Sequence, residues 1–200
     1  MCQRCGFVAY DNPKVVAGAV LFRKGREWDN PSILLGERGI PPREGTWGHP
    51  AGFLELGEGA DAGAAREAKE ELCVDVDPAA LSLLSLYSIP NFGQVHTYHV
   101  GVLSAADASR ATAGHETLAA AWVPVREVDW DSLAFPTSVL ALADAMAWWR
   151  VRPESCPTFG AVHRTVTDPL GSKAIDVLRA HGLEDALAGA TCALRTAADD

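Results

Sequence analysis

The sequence predicts a layered fold of the α/β or α+β class. Two patterns carry that expectation: short β-branched apolar runs stand on both sides of one amphipathic helical segment, and the pattern turns helical beyond Asp131. Chain length sets the scale, because 200 residues suffice for one well-packed domain, or a domain with a small appendage, but not for several cores. Hydrophobic residues make up 48% of the chain and charged ones 22%, which argues against a disordered, collagen-like or coiled-coil protein.

Residues 14–22 (KVVAGAVLF) and 32–36 (SILLG) read as two strands joined by a charged, turn-prone hairpin connection. Residues 39–45 hold Pro41, Pro42 and Gly45 and form a breaker-rich loop, after which 46–55 (TWGHPAGFLE) lead into Gly57 and Gly59. From Ala60 the period changes: Ala64, Ala68 and Leu72, with Ala65 beside them, give a helix of about four turns with a small-residue inner face. Strand patterns return at 81–88, 94–103 and 119–125, with 104–114 read as a connecting stretch. Helices are expected at 137–151 and 172–187, joined by a loop holding Pro153, Pro157 and Pro169, and 197–200 should fray.

The 26 acidic residues outnumber the 17 basic ones, for a net charge of −9, so a broad electrostatic grip on nucleic acid or an anionic membrane is not expected. The start Met1-Cys2-Gln3-Arg4-Cys5-Gly6 has no apolar core behind a basic end, and no stretch approaches the ~20 apolar residues of a membrane span, so the chain reads as soluble and cytoplasmic. Five scattered cysteines do not make a disulfide framework. Cys2 and Cys5 have the spacing of a zinc knuckle, but a structural Zn²⁺ needs four ligands and only this pair is visible.

Within the central helix, Glu67, Glu70 and Glu71 fall at i, i+3 and i+4 on one side. Like charges at that spacing repel, so the grouping is unfavourable unless a cation offsets it, and Mg²⁺ or Mn²⁺ prefers such oxygens together with substrate phosphates. The alternative is a solvated acidic face with Arg66 and Lys69 as local partners.

The approach to this helix weighs against the alternative. Gly52, Glu58, Arg66-Glu67, Glu70-Glu71 and Val74 stand at the spacing G-x5-E-x7-R-E-U-x-E-E-x-G-U, with U apolar, and the segment resembles the Nudix box. The one departure is Cys73 where the box has glycine, a left-handed cap position that incurs a modest backbone cost in cysteine. The resemblance implies a mixed β-sheet sandwiched between helices and hydrolysis of a nucleoside diphosphate linked to another moiety. It implies that Glu70 and Glu71 are the principal metal ligands, that Glu67 shares a metal or acts as base toward water, and that the Ala51 or Gly52 carbonyl adds an oxygen. Arg66 would hold Glu58 and fix the loop on the helix.

Outside the box the resemblance runs from about Cys2 to Phe135. It points to the branch that joins a zinc ribbon to the Nudix fold and includes pyrophosphatases of FAD, ADP-ribose and related dinucleotides. On this reading 1–13 is a partial ribbon, 14–135 the Nudix domain and 136–200 a helical C-terminal extension. Glu116, in Gly114-His115-Glu116-Thr117, is the candidate for a further ligand or the general base. A non-catalytic nucleotide-sensing module and an NTP-sanitising pyrophosphohydrolase are the competing functions.

Other candidates carry two readings. Arg38 is a phosphate contact or a surface arginine paired with Glu37 or Glu44. Phe92 and Gln94, with His96, stack on and hydrogen-bond a base or flavin ring, or pack the core. His96 and His99 point to opposite faces of their strand and should not share a metal. His49 and His163 have no supporting context, and Trp148-Trp149 reads as core or as a homodimer interface.

Overall fold

The computed structural model describes residues 1–8, 10–23, 30–151, 160–168, 170 and 173–186. The expected hairpin turn at 24–29, Pro153, Pro157, Pro169, the end residues Ser172 and Leu187 of the last helix and the expected frayed end lie outside them.

The sheet is mixed and eight-stranded, with helices on its faces. Its middle is β1 (Lys14–Arg23), paired in parallel with β6 (Gln94–Leu103) from Lys14↔Gln94 to Arg23↔Leu103. Val16 to Phe22 are all buried, on both faces, as a central strand covered on both sides requires. β2 (Ser32–Arg38) meets β1 at Phe22↔Ile33 and carries β3 (Trp47–Gly48) and β7 (Thr117–Pro124); β4 (Ala51–Phe53) pairs with the start of β1. β5 (Ser82–Ile89) runs antiparallel to β6.

Helix α1 (Ala60–Leu72) covers one face. Its predicted small-residue stripe is the contact surface: Ala64, Ala68 and Leu72 pack on Ala17, Ala19 and Leu21 of β1 and Leu34 of β2. A methyl at Gly63 would lie 2.7 Å from Leu54 and 3.3 Å from Ala17, so the helix sits as close as glycine permits. The helix closes on Cys73 at φ 55°, with Cys73 N–H donating to Lys69 O and Val74 N–H to Ala68 O, the paired bonds of a left-handed cap. Cysteine therefore adopts the backbone conformation that the departure from glycine put in question.

The opposite face holds the larger core. Helix α3 (Pro136–Val151) contributes Val139, Leu140, Leu142, Met146 and Trp149, which meet Phe22, Tyr87 and Val100. Trp149 lies 4.7 Å from the Phe22 ring and Trp148 stacks at 6.3 Å, so this pair belongs to the core. Two short elements differ from expectation. A single-turn helix α2 (Ala105–Ala108), capped by the Ser104 hydroxyl, lies in the stretch read as connection. Within the stretch read as a loop between helices, β8 (Val162–Thr165) joins the sheet parallel to β5. The last helix, α4 (Ala174–Ala180), is shorter than its pattern suggested.

A buried ionic network ties β8 down. Asp144 of α3, 2% exposed, accepts from Tyr87 Oη at 2.7 Å, Ser85 Oγ at 3.0 Å and Arg164 Nη2 at 2.7 Å. His163 meets Ser88 Oγ at 3.0 Å on the exposed side of the same strand pair. Among the described residues no helix is long and apolar enough to cross a membrane.

Candidate active site

α1 delivers its carboxylates to the edge of β4, and the loop before the helix returns to meet them through Arg66. This guanidinium donates to Glu58 from Nη2 at 2.8 Å and Nε at 3.2 Å, a bidentate pair, and also to the Phe53 carbonyl at 3.1 Å. Its Nη1 reaches Glu67 at 2.8 Å and Glu70 at 3.0 Å. The hydrogen bonds from Arg66 hold the Glu58 carboxyl below the usual range. Lys69, the other expected local partner, turns away to Asp75 at 2.7 Å.

The three helix glutamates lie on one side of α1 but in different environments. Glu67 is buried against the Gly52 backbone, where an added methyl would come within 2.2 Å of its Oε1; only glycine leaves room for the carboxylate there. Glu71 is half-buried and accepts from Ala51 N–H at 3.2 Å. Glu70 is exposed and lies on Arg66. Among the described residues no three His, Cys, Asp or Glu side chains stand in metal-holding geometry. Arg66, with five donors in a fixed fork, gathers Glu58, Glu67 and Glu70 around its own charge.

Burial and crowding leave a signature on the other pair. Desolvation pushes the Glu67 carboxyl up, with the charges of Glu70 and Glu116 adding to it and Arg66 opposing. Glu71 is pushed up to about 7, again chiefly by burial, with Glu67 and Glu116 adding and the Ala51 N–H and Arg38 opposing. Carboxyls crowded by like charge in a partly dry site are a donor set that a hard divalent cation suits. Glu67 and Glu71 are thus side chains that could hold such a cation. Cys2 and Cys5, the candidate zinc pair, are exposed free thiols at the N-terminus.

The Glu116 loop is held onto the end of α1. Gly114 N–H donates to Glu71 O at 2.7 Å and Thr112 N–H to Leu72 O at 3.1 Å, so this loop satisfies carbonyls that the helix end leaves open. A methyl at Gly114 would strike Glu70 O at 1.9 Å, so the close approach depends on glycine. Glu116 itself is exposed at the rim, and its carbonyl accepts from Gly39 N–H at 2.9 Å.

A cavity of about 260 Å³ opens beside Glu71 and Glu116 and extends under β6 and the start of α3. Arg38, Phe92 and Gln94 all line it. Arg38 donates to Pro42 O at 3.0 Å and lies over the Phe135 ring at 5.1 Å, rather than acting as a plain surface partner of Glu37 or Glu44. Phe92 is exposed at the mouth, and Gln94 Oε1 sits 2.9 Å from His96 Nε2. His99 faces away from His96 and is buried on the α1 side of the sheet, where Asp61 is among the charges that act on it.

One residue without apparent context in the sequence also lines the cavity. His49 is 6% exposed and burial pulls its ring down to about 4. One side of the ring approaches the Ser138 backbone, yet neither ring nitrogen reaches hydrogen-bond geometry among the described residues. Its position between β3 and β4 was the available signal: a polar side chain in a segment that must pack inward before Ala51.

A model of the NUDIX domain family matches residues 12–144. The fold is similar to a NUDIX hydrolase from Nitrosomonas europaea, at 30% identity over 83% of this chain and 86% of that one, with a TM-score of 0.65. It is also similar to the NUDIX domain of Shewanella oneidensis NrtR in complex with ADP ribose, at 19% identity over 69% and 89% of the two chains and a TM-score of 0.60. An ADP-ribose pyrophosphatase from Streptococcus suis aligns at 16% identity over 76% of this chain and 100% of that one, with a TM-score of 0.52. No curated protein matches the chain.

Proposed function

Because the chain belongs to the NUDIX family, we propose that it hydrolyses the diphosphate of a nucleoside diphosphate linked to another moiety, with ADP-ribose, FAD or a related dinucleotide as substrate. The observation that carries this reading is the pair Glu67 and Glu71, two partly dehydrated carboxylates set against the Gly52 and Ala51 backbone, of which Glu71 lines the cavity. Glu67 and Glu71, with Glu70, the Ala51 carbonyl and Glu116 at the rim, are the residues that would hold Mg²⁺ or Mn²⁺. A bound divalent ion supplies charge neutralisation at phosphate oxygens and acidifies water.

The chain's own groups do the rest. Arg66 fixes Glu58 and the Gly52 loop against α1, so the carboxylates keep their spacing when substrate enters. Glu67, held buried with its pKa raised, is placed to take a proton from an attacking water. Arg38 offers a guanidinium on the cavity wall facing Glu71, suited to a phosphate oxygen. Phe92 provides a flat apolar face at the mouth for a base or flavin.

The test is a substrate panel with Mg²⁺ or Mn²⁺, read as phosphate released after coupling to a phosphatase. Dinucleotides should give two monophosphates, and NTPs should not give pyrophosphate at a comparable rate. Glu70→Gln and Glu71→Gln should both lose turnover; variants as fast as wild type on every substrate would sink the assignment.

A further inference from the structure

The cavity that Glu71 and Glu116 line has a buried part that the hydrolysis leaves unused. His49 stands there, preceding Pro50 and the Ala51 whose N–H holds Glu71. Its ring meets Tyr98 edge-on, with centroids 6.1 Å apart and planes at 79°. Both of its ring nitrogens are buried without a hydrogen-bond partner among the described residues, and so is Nδ1 of His96, which lines the same cavity. An imidazole carries one donor and one acceptor, and buried polar atoms are nearly always paired. A leucine would fill this space without that penalty, so the imidazole weakens the fold unless something that enters the cavity satisfies it.

Size and lining narrow what enters. At about 260 Å³ the cavity falls below the ~300–1,000 Å³ that encloses a whole drug-sized ligand, so it takes one ring system of a dinucleotide and leaves the other half outside. Ile89, Tyr98 and Phe135 add apolar and aromatic surface to a lining that also holds Arg38 and Glu71, so the charged part suits phosphate with its cation and the apolar part suits a flat ring. We propose that His49 is a specificity-determining residue that reads the donor and acceptor edge of a heteroaromatic ring, the base or flavin half of the substrate, in the inner cavity. The assignment rests on the reading of the carboxylate end as the diphosphate site, since that end fixes which half lies inward.

The experiment compares wild type, His49→Leu and His49→Gln by calorimetric binding of AMP, FMN and ribose 5-phosphate, alongside thermal melting. His49→Leu should bind AMP or FMN about 3–10-fold more weakly, the loss of one or two neutral hydrogen bonds, while Tm stays level or rises. His49→Gln keeps a donor and an acceptor and should recover most of the affinity. Ribose 5-phosphate, which has no ring to read, should bind all three alike. Whether AMP or FMN responds tells adenine from flavin. Equal binding of both rings by wild type and His49→Leu, no rescue by glutamine, an equal loss for ribose 5-phosphate, or no ring binding by wild type would each overturn the proposal. Failure of the diphosphate reading looks different: wild type with Mg²⁺ would hydrolyse no dinucleotide even where it binds the ring.

Discussion

The two faces of the central strands are built from opposite materials. On one, α1 lays alanines on Ala17 and Ala19 and keeps a row of glutamates at its edge; on the other, α3 packs Leu140, Leu142, Met146 and Trp149 and buries its charge, Asp144, completely. Small side chains bury little apolar area each, so the α1 face gains precision of approach more than stability, whereas the α3 face carries most of the core. The carboxylates differ in the same sense. Asp144 has three donors satisfying it, while Glu67 and Glu71 are crowded by like charge. One face spends its charge on holding the fold, the other keeps charge poised for a ligand.

Asp144→Ala should cut deepest into stability. It strands Arg164 beside two buried hydroxyls, and loss of one partner of a buried pair costs about 3–5 kcal/mol, readable in urea unfolding. Turnover measured well below the melting transition should survive. Glu71→Gln should do the reverse: kcat/KM falls by about 10²-fold or more, the scale of several kcal/mol of transition-state stabilisation, with stability unchanged or higher. Were Glu71→Gln to unfold the protein and Asp144→Ala to abolish activity in the folded state, the division between the faces would be wrong.

Gly52→Ala sharpens the comparison at a single methyl. The new Cβ would fall on the Glu67 carboxylate, and a displacement of about 1 Å at a reacting group can cost up to ~10²-fold in rate. Steady-state kinetics should show that loss with only a small shift in Tm.

The pH response separates the two kinds of buried group. The Glu71 carboxyl is raised from 4.5 to about 7 in the folded chain, so its contribution to stability is complete below 4.5 and is lost as pH rises through 7. His49 goes from 6.5 to about 4, so its contribution is present above 6.5 and lost as pH falls through 4. Without added cation, wild type should therefore lose stability toward both ends of this window. Glu71→Gln should flatten the upper limb, and His49→Leu should shallow the lower one, which His96, also drawn down to about 4 by burial, shares, in denaturant titrations run at stepped pH. The smallest effect is expected at the helix cap: Cys73→Gly, at φ 55°, should stabilise by about 1 kcal/mol without changing kcat.

Much of the α1 face was legible in the sequence because its determinants are local. The four-residue spacing of Ala64, Ala68 and Leu72 predicted both the helix and its buried stripe, and the glycine and glutamate spacing predicted the loop that precedes it. What local spacing could not supply was competition for the same charge. The Arg66 fork holds Glu67 and Glu70 of the helix together with Glu58 and Phe53 O, a contact set that helix spacing alone does not display. β8 was hidden because four residues of VHRT become a strand only by parallel pairing with β5, a partner far away in the chain. His49 was hidden for the same reason, since its meaning depends on Tyr98, Ser138 and a cavity that distant segments enclose.

The proposed hydrolysis rests on the glutamates of α1, with α3 in support. Its most direct test is product analysis of ADP-ribose incubated with Mg²⁺ in oxygen-labelled water, for wild type and Glu71→Gln. AMP and ribose 5-phosphate are expected from wild type, with the label in one of the two phosphates, and almost none of either from Glu71→Gln. Equal yields from both proteins would contradict it.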